Sequence, residues 1–355
     1  MDKVQSKRIQ IIRGLAILAV VGIHSTKPYY EGVWIRAFLN FAVGTFLFLS
    51  GYLTKNDIKS PLLFYKKRIL RVLIPYTIWS LLYTSVYNSW GSFLKNYLVG
   101  NACDIYYFII VYIQMVLLTP ILIYLIKSRF WLWGFVPTVI YLMIRTCIVA
   151  YGSDLPAIIN LNFFYSWLAF YYLGLCYARK RIDIKKIPLL LYVVLLLALM
   201  SLQIFEGHLW LGYYGLFPLN YSFAVSQQKI TAVLSTIVTD CILVYYIERN
   251  GDLFNTDRRK KKTVIFKDIV ICRVLEFICN VFAVIGDVSF GIYLTHVMLL
   301  IPLSKYVYSH TLDVFPLNMF ITTFLCGGII IGVVNLLIMV FGQTNGKRIG
   351  RYLGF

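Results

Sequence analysis

Ten stretches of 18 to 25 residues, each nearly free of charge, follow one another along this chain: 9–28, 35–54, 70–90, 105–126, 131–151, 161–178, 187–205, 230–248, 286–308 and 317–341. A helix needs about 20 consecutive apolar residues to cross the hydrocarbon core of a bilayer. In lipid, backbone polar groups must find partners inside the protein, and a helix supplies them within each segment. The expected fold is therefore all-α: one polytopic membrane helix bundle of about ten transmembrane helices, filling residues 1–355. Composition agrees. The chain is 60% hydrophobic and 14% charged, with mean hydropathy +0.75, where soluble domains average about 45–50% apolar and about 25% charged.

Charge then orients the bundle. The formal net charge is +19, which in a soluble protein would suggest nucleic acid. No soluble domain is present to bind it, and most basic residues lie in short segments between apolar runs. With a cytoplasmic N-terminus, 28 of the 34 lysines and arginines fall on the cytoplasmic side. The remainder are Lys27, Arg36, Lys95, Arg145, Lys229 and Lys305. This asymmetry supports an N-in, C-in topology. Residues 266–285 carry Lys267, Asp268, Arg273 and Glu276 and read as an amphipathic helix on the cytoplasmic interface. The basic run 258–262 reads as a solvated loop drawn to anionic membrane lipid. The first apolar run lacks a small-residue cleavage site and is expected to be retained as a helix. Seven scattered cysteines without a CxxC pair point to neither disulfides nor a metal site.

Within the first run, "RGLAILAVVGIH" opens on Arg13 and closes on His24. Ionisable groups at membrane depth are costly and usually face a wet cavity or the bundle interior. Eleven residues at 100° each return to within about 20° of the same face, with a rise of ~16 Å. Both side chains thus share a stripe, the arginine near the cytoplasmic mouth and the histidine deeper. The spacing predicts a polar cleft entered from the cytoplasm. His296 lies midway along the ninth run, one turn after Tyr293. Arg145 and Asp240 are further intramembrane charges, able to pair with each other or with a substrate. His208 and His310 are expected outside.

An arginine, ten residues and a histidine on the first span resemble the signature of the acyltransferase-3 family of bacterial membrane O-acyltransferases. Four more stretches agree, in order. "FLFLSGYLTKN" (Phe46 to Asn56) is similar to the family's Ser-Gly-Tyr segment closing the second span. "FYKKRILRVLIPYTIWSLLY" (Phe64 to Tyr83) resembles its basic approach to the third, with Arg68 and Arg71 before Pro75-Tyr76. "IYYFIIVYIQMVLLTPIL" (Ile105 to Leu122) fits its aromatic fourth span ending in Thr-Pro. "GDVSFGIYLTH" (Gly286 to His296) looks like its late Ser-aromatic-x-Ile-Tyr-x-x-His segment. Two departures keep an aromatic residue: Phe290 where tyrosine is common, and Tyr106-Tyr107-Phe108 where a Trp-Phe pair is frequent.

The resemblance implies acyl transfer from a thioester to a hydroxyl. Such a reaction needs a base for the hydroxyl proton, a grip on the phosphate-rich donor, and alignment of the reacting atoms. His24 is the natural base, with a transient acyl-histidine as the rival mechanism. Arg68 and Arg71 are helix neighbours, and guanidinium forks suit phosphate oxygens. With Arg13 they are expected to hold the phosphates of acyl-CoA, most simply acetyl-CoA. Ser50 and Tyr52 are candidates for the thioester or pantetheine, or for a helix-end role. Tyr293, His296 and Arg145 are candidates for lining the acceptor cavity. Asp104, Asp154 and Glu31, the acids considered as partners of His24, are all expected on the far side.

The expected activity is O-acylation of a cell-envelope polysaccharide or lipid-linked sugar in the bacterial cytoplasmic membrane. No metal is called for. Partners would be membrane lipid, the glycan acceptor, and either a second copy or glycan-synthesis machinery. The alternative reading is a polysaccharide exporter or flippase, which would also need a polar cavity.

Overall fold

The computed structural model describes residues 2–26, 30–54, 58, 60–87, 89–153, 163–249, 266–310 and 316–355. The basic run 258–262, and Lys27, Lys55, Lys59 and Asp154, lie outside the described residues. In chain order the helices are α1 (Lys3–Ser25), α2 (Tyr30–Leu39), α3 (Phe41–Tyr52), α4 (Pro61–Val86), α5 (Phe93–Val99), α6 (Tyr107–Lys127) and α7 (Val136–Ala150). There follow α8 (Leu168–Ala178), α9 (Leu189–Trp210), α10 (Tyr221–Ala224), α11 (Ile230–Ile247), α12 (Phe266–Asp287), α13 (Ser289–His310) and α14 (Leu317–Leu353). No strand occurs among the described residues. Among the described residues eight segments are long and apolar enough to cross a membrane, and α7 and α8 are shorter apolar helices. The chain is an all-α polytopic bundle.

The differences from the expected runs have local causes. Pro61 fits the first helical turn, where its missing N–H is not needed, so α4 begins well before residue 70 and Arg68 and Arg71 ride on a helix. The second run breaks at Asn40 into α2 and α3. The last helix is interrupted at Gly342, whose φ of 75° suits a residue without a Cβ. Beyond that break the chain folds back, so that a Cβ on Gly346 would meet the backbone of Leu337 and Ile338.

Helix α1 is central, packed on α3, α12, α13 and α14. Its contact with α12 is backbone on backbone. A Cβ on Gly14 would lie 2.0 Å from the Phe282 carbonyl, and one on Gly286 would lie 1.9 Å from that of Gln10. Small residues permit this kind of approach in membrane bundles. The C-terminal turns of α12 thus lie against α1, and α13 continues alongside it after a break at Val288. Helices α3 and α8 cross in the same way. A Cβ on Gly51 would meet the Tyr171 carbonyl at 2.2 Å, and one on Gly174 the Phe48 carbonyl at 2.2 Å. Residues Leu168 to Cys176 are buried without interruption, while many side chains of α9 face outward, as expected of a lipid-facing helix.

Candidate active site

The parallel course of α1 and α13 brings two histidines together. The rings of His24 and His296 have centroids 5.3 Å apart, tilted by 51°. His296 is fully buried. Its Nδ1 lies 3.0 Å from the Ile292 carbonyl and 2.9 Å from that of Tyr293. A carbonyl only accepts, so Nδ1 carries the proton, and the neutral ring presents a bare Nε2. That Nε2 is buried and has no hydrogen-bond partner. Tyr293, one turn earlier, lies 6.3 Å from the His296 ring and 5.5 Å from Phe108. Its hydroxyl donates to the Ile105 carbonyl, so the aromatic start of α6 helps fix this wall.

A cleft of about 580 Å³ reaches His24. Ser25 and Thr26 line it from the end of α1, and Val297, Leu300, Ile301, Ser304 and Lys305 line it from α13. It therefore opens at the C-terminal end of α1, the outer side in an N-in topology. The cleft expected from the cytoplasm is not the one that reaches the histidine. The reason lies in register: α13 extends past the last turn of α1, leaving a groove above His24.

The end of the bundle at the start of α1 gathers the arginines. Arg13 donates to the Gln10 side chain at 3.2 Å and lies within electrostatic reach of Arg71, Asp287 and Tyr112. Arg68 stacks over Phe64 at 4.9 Å, and its charge reaches Tyr171 on α8. The Tyr171 hydroxyl in turn shares a 2.7 Å hydrogen bond with Thr119. Arg13, Arg68 and Arg71 thus flank one region between α1, α4, α6 and α8. A basic cavity of about 410 Å³ lies at the ends of α6 and α8, lined by Lys127, Arg179, Lys180 and Arg181.

Ser50 and Tyr52 are placed differently. Tyr52 donates to Glu248 at 3.3 Å and stacks on Tyr177 at 6.0 Å. Tyr177 donates to the same carboxylate at 2.8 Å, and Lys185 pairs with it at 2.9 Å. Burial works to raise the Glu248 carboxyl, but Lys185 and the two phenols outweigh it and hold the group below its ordinary range. The Ser50 carbonyl accepts from Thr54 at 2.9 Å. In this segment Gly51 serves the α3–α8 crossing and Tyr52 a polar knot at the end of α11.

Sequence reasoning named Arg145 as a cavity candidate but missed Arg36 and Lys229, which form a third group with it. Arg36, read only as one of the outside charges, donates to Asn40 at 3.1 Å and to the Ile23 carbonyl at 3.4 Å. It therefore touches the residue next to His24. Arg145 does not pair with Asp240. Its guanidinium donates to Ser226 at 3.2 Å and lies 5.1 Å over Phe223, while Asp240 accepts from Thr45 at 2.6 Å. Lys229 is buried at the start of α11, and desolvation lowers its ammonium to about 8, with Glu206 opposing the shift and Arg36 adding to it. The one available signal was membership in the small set of basic residues that defied the inside bias. As for acids beside His24, Glu31 and Asp104 are exposed. No cluster of three or more metal-ligating side chains occurs among the described residues.

The acyltransferase domain of the acyltransferase-3 family matches residues 6–340. The chain belongs to the acyltransferase-3 family. Comparison with characterised proteins and with solved structures returned no match. This acyltransferase-3 protein is a membrane acyltransferase, and the match runs from the foot of α1 through nearly all of α14 before its break. His24, His296, Arg13, Arg68 and Arg71 all lie inside it.

Proposed function

We propose that this acyltransferase moves an acyl group, acetyl in the simplest case, from cytoplasmic acyl-CoA to a hydroxyl of a cell-envelope polysaccharide or lipid-linked sugar. The observation that carries this reading is the His24–His296 pair at the foot of an outward cleft, with the arginine group at the other end of the same helix. The donor's phosphates rest among Arg13, Arg68 and Arg71. Its pantetheine arm bridges the ~16 Å rise from Arg13 to His24. His24 takes the proton of the acceptor hydroxyl as that oxygen attacks the thioester carbonyl. The tetrahedral intermediate collapses, the C–S bond breaks, and the departing thiolate takes the proton to leave as CoA thiol.

His296 acts through His24. With Nδ1 tied to two carbonyls, its Nε2 is a fixed acceptor that can orient the neighbouring imidazole or share its proton. In the rival route His24 itself takes the acyl group before the acceptor does. Rapid acid quenching with radiolabelled acetyl-CoA separates the two, because only the second leaves label on the protein.

The deciding measurement is mass spectrometry of the envelope glycan from cells carrying the wild-type protein or His24→Ala. Loss of O-acylation with glycan amount unchanged is the expected result. Loss of the glycan itself would favour an exporter and overturn the assignment.

A further inference from the structure

The outer half of the bundle holds cations that the donor chemistry leaves unused. Arg36 on α2, Arg145 on α7 and Lys229 at the start of α11 belong to one cluster. Arg36 bonds Asn40, whose amide nitrogen approaches the Ser226 carbonyl at 3.4 Å. The Ser226 hydroxyl accepts from Arg145 at 3.2 Å and from the Gln228 backbone N–H at 3.0 Å. Lys229 follows directly and donates to the carbonyls of Gln203 at 3.0 Å and Ala224 at 2.7 Å.

The charges do not balance. Arg145 is 8% exposed and Lys229 1%, and the hydrogen-bond partners of all three cations given above are neutral. Glu206 lies within reach of Lys229, where it accepts from Thr231. Asp240 sits three turns further along α11, roughly 16 Å away, bound to Thr45. The three cations thus outnumber the one carboxylate near them, and an excess of buried positive charge is expensive in a membrane bundle and by default marks a functional site. Buried polar atoms around them also lack partners: Arg145 Nε, Gln227 Oε1, and both Oε1 and Nε2 of Gln228, a residue only 1% exposed. Native interiors rarely leave such groups unmatched. A guanidinium whose polar neighbours are the neutral Ser226 hydroxyl and the Tyr141 phenol, beside an ammonium and an unmatched amide, suits an oxyanion.

We infer that Arg36, Arg145, Lys229 and Gln228 form an oxyanion-binding subsite, and that the acceptor is consequently an acidic one, carrying a carboxylate or phosphate. The acceptor identity rests on the acyltransferase reading above; the anion site itself does not. Arg36 contacts the backbone beside His24, which sets the distance between the acid group of the acceptor and the hydroxyl that reacts. The carboxylate would come from a uronate sugar, the phosphate from a lipid-phosphate linkage.

Direct binding tests this with the full chain in detergent. Glucuronate, glycerol 1-phosphate and glucose are titrated against wild type, Arg145→Gln and Lys229→Met, and acetyl-CoA binding reports that each variant is folded. Both anions, or one of them, should bind at least about tenfold tighter than glucose, and each substitution should erase most of that margin. Preference for glucuronate assigns a uronate acceptor; preference for glycerol 1-phosphate assigns a phosphate-linked one. Equal binding of glucose and both anions by wild type overturns the proposal, as does an anion preference that survives both substitutions. If Arg145→Gln does not fold, Lys229→Met and Arg145→Lys carry the test. Anion binding that depends on these residues, without acyl transfer to any hydroxyl, would fault the acyltransfer reading and leave the subsite standing.

Discussion

At the scale of single residues, the centre depends on a histidine whose own hydrogen bonds define its role. The two carbonyl bonds to Nδ1 of His296 hold the ring and leave its unmatched Nε2 as the atom through which the proposed mechanism has it act on His24. An asparagine side chain places a donor where Nδ1 sits and offers nothing where Nε2 sits. His296→Asn should therefore keep its thermal midpoint and its KM for acetyl-CoA while kcat falls about 100-fold, within the usual range for a lost proton-transfer partner. A purely structural role for His296 predicts the reverse: kcat preserved and stability lost in His296→Ala. His24 was legible in the sequence because an ionisable group so deep in an apolar run has few innocent uses. Arg36 and Lys229 were not legible as a group. Their meaning comes from Asn40, Ser226 and Gln228, and no spacing rule links residue 36 to 145 and 229.

At the scale of elements, the helices were readable because apolar length is set by bilayer thickness. Their breaks were less so. The interruptions at Asn40, Val288 and Gly342 sit inside continuous apolar or amphipathic pattern, and only packing decides them. The Ser-Gly-Tyr segment shows the same limit. Its glycine is required by a backbone crossing with α8, and its tyrosine by a carboxylate on a distant helix. Glu248 gathers Tyr52, Tyr177 and Lys185, which joins α3 and α8 to the end of α11. Its carboxyl lies below the ordinary value of 4.5, so the folded state binds this proton less readily than the unfolded chain. The stabilisation is fully present above pH 4.5 and is lost as pH falls through the folded-state value. Glu248→Gln should thus lower the melting midpoint in detergent at neutral pH, with the gap to wild type closing below pH 4.5. A gap of constant size across that range would show that the knot owes nothing to ionisation.

At the scale of the whole molecule, the features proposed for donor and acceptor occupy opposite ends of α1. The cluster of Arg13, Arg68 and Arg71 lies on the side rich in positive charge, and the His24 cleft opens on the other. Replacing Arg68 and Arg71 together by alanine should raise KM for acetyl-CoA at least tenfold in a membrane assay, since each charge-assisted bond to phosphate is worth about 1.5–3 kcal/mol. It should leave binding of glucuronate or glycerol 1-phosphate unchanged, because those anions are assigned to the outer cluster. Unaltered KM in the double variant would remove the donor assignment.

The two imidazoles come from the first helix and from the last but one. Until α13 has been synthesised and inserted beside α1, His24 has no partner ring and no cleft. If the proposed chemistry holds, an incomplete chain, however well its early helices are seated in the bilayer, has no means of wasting thioester. Assembly of this histidine pair is thus gated by the arrival of a single helix.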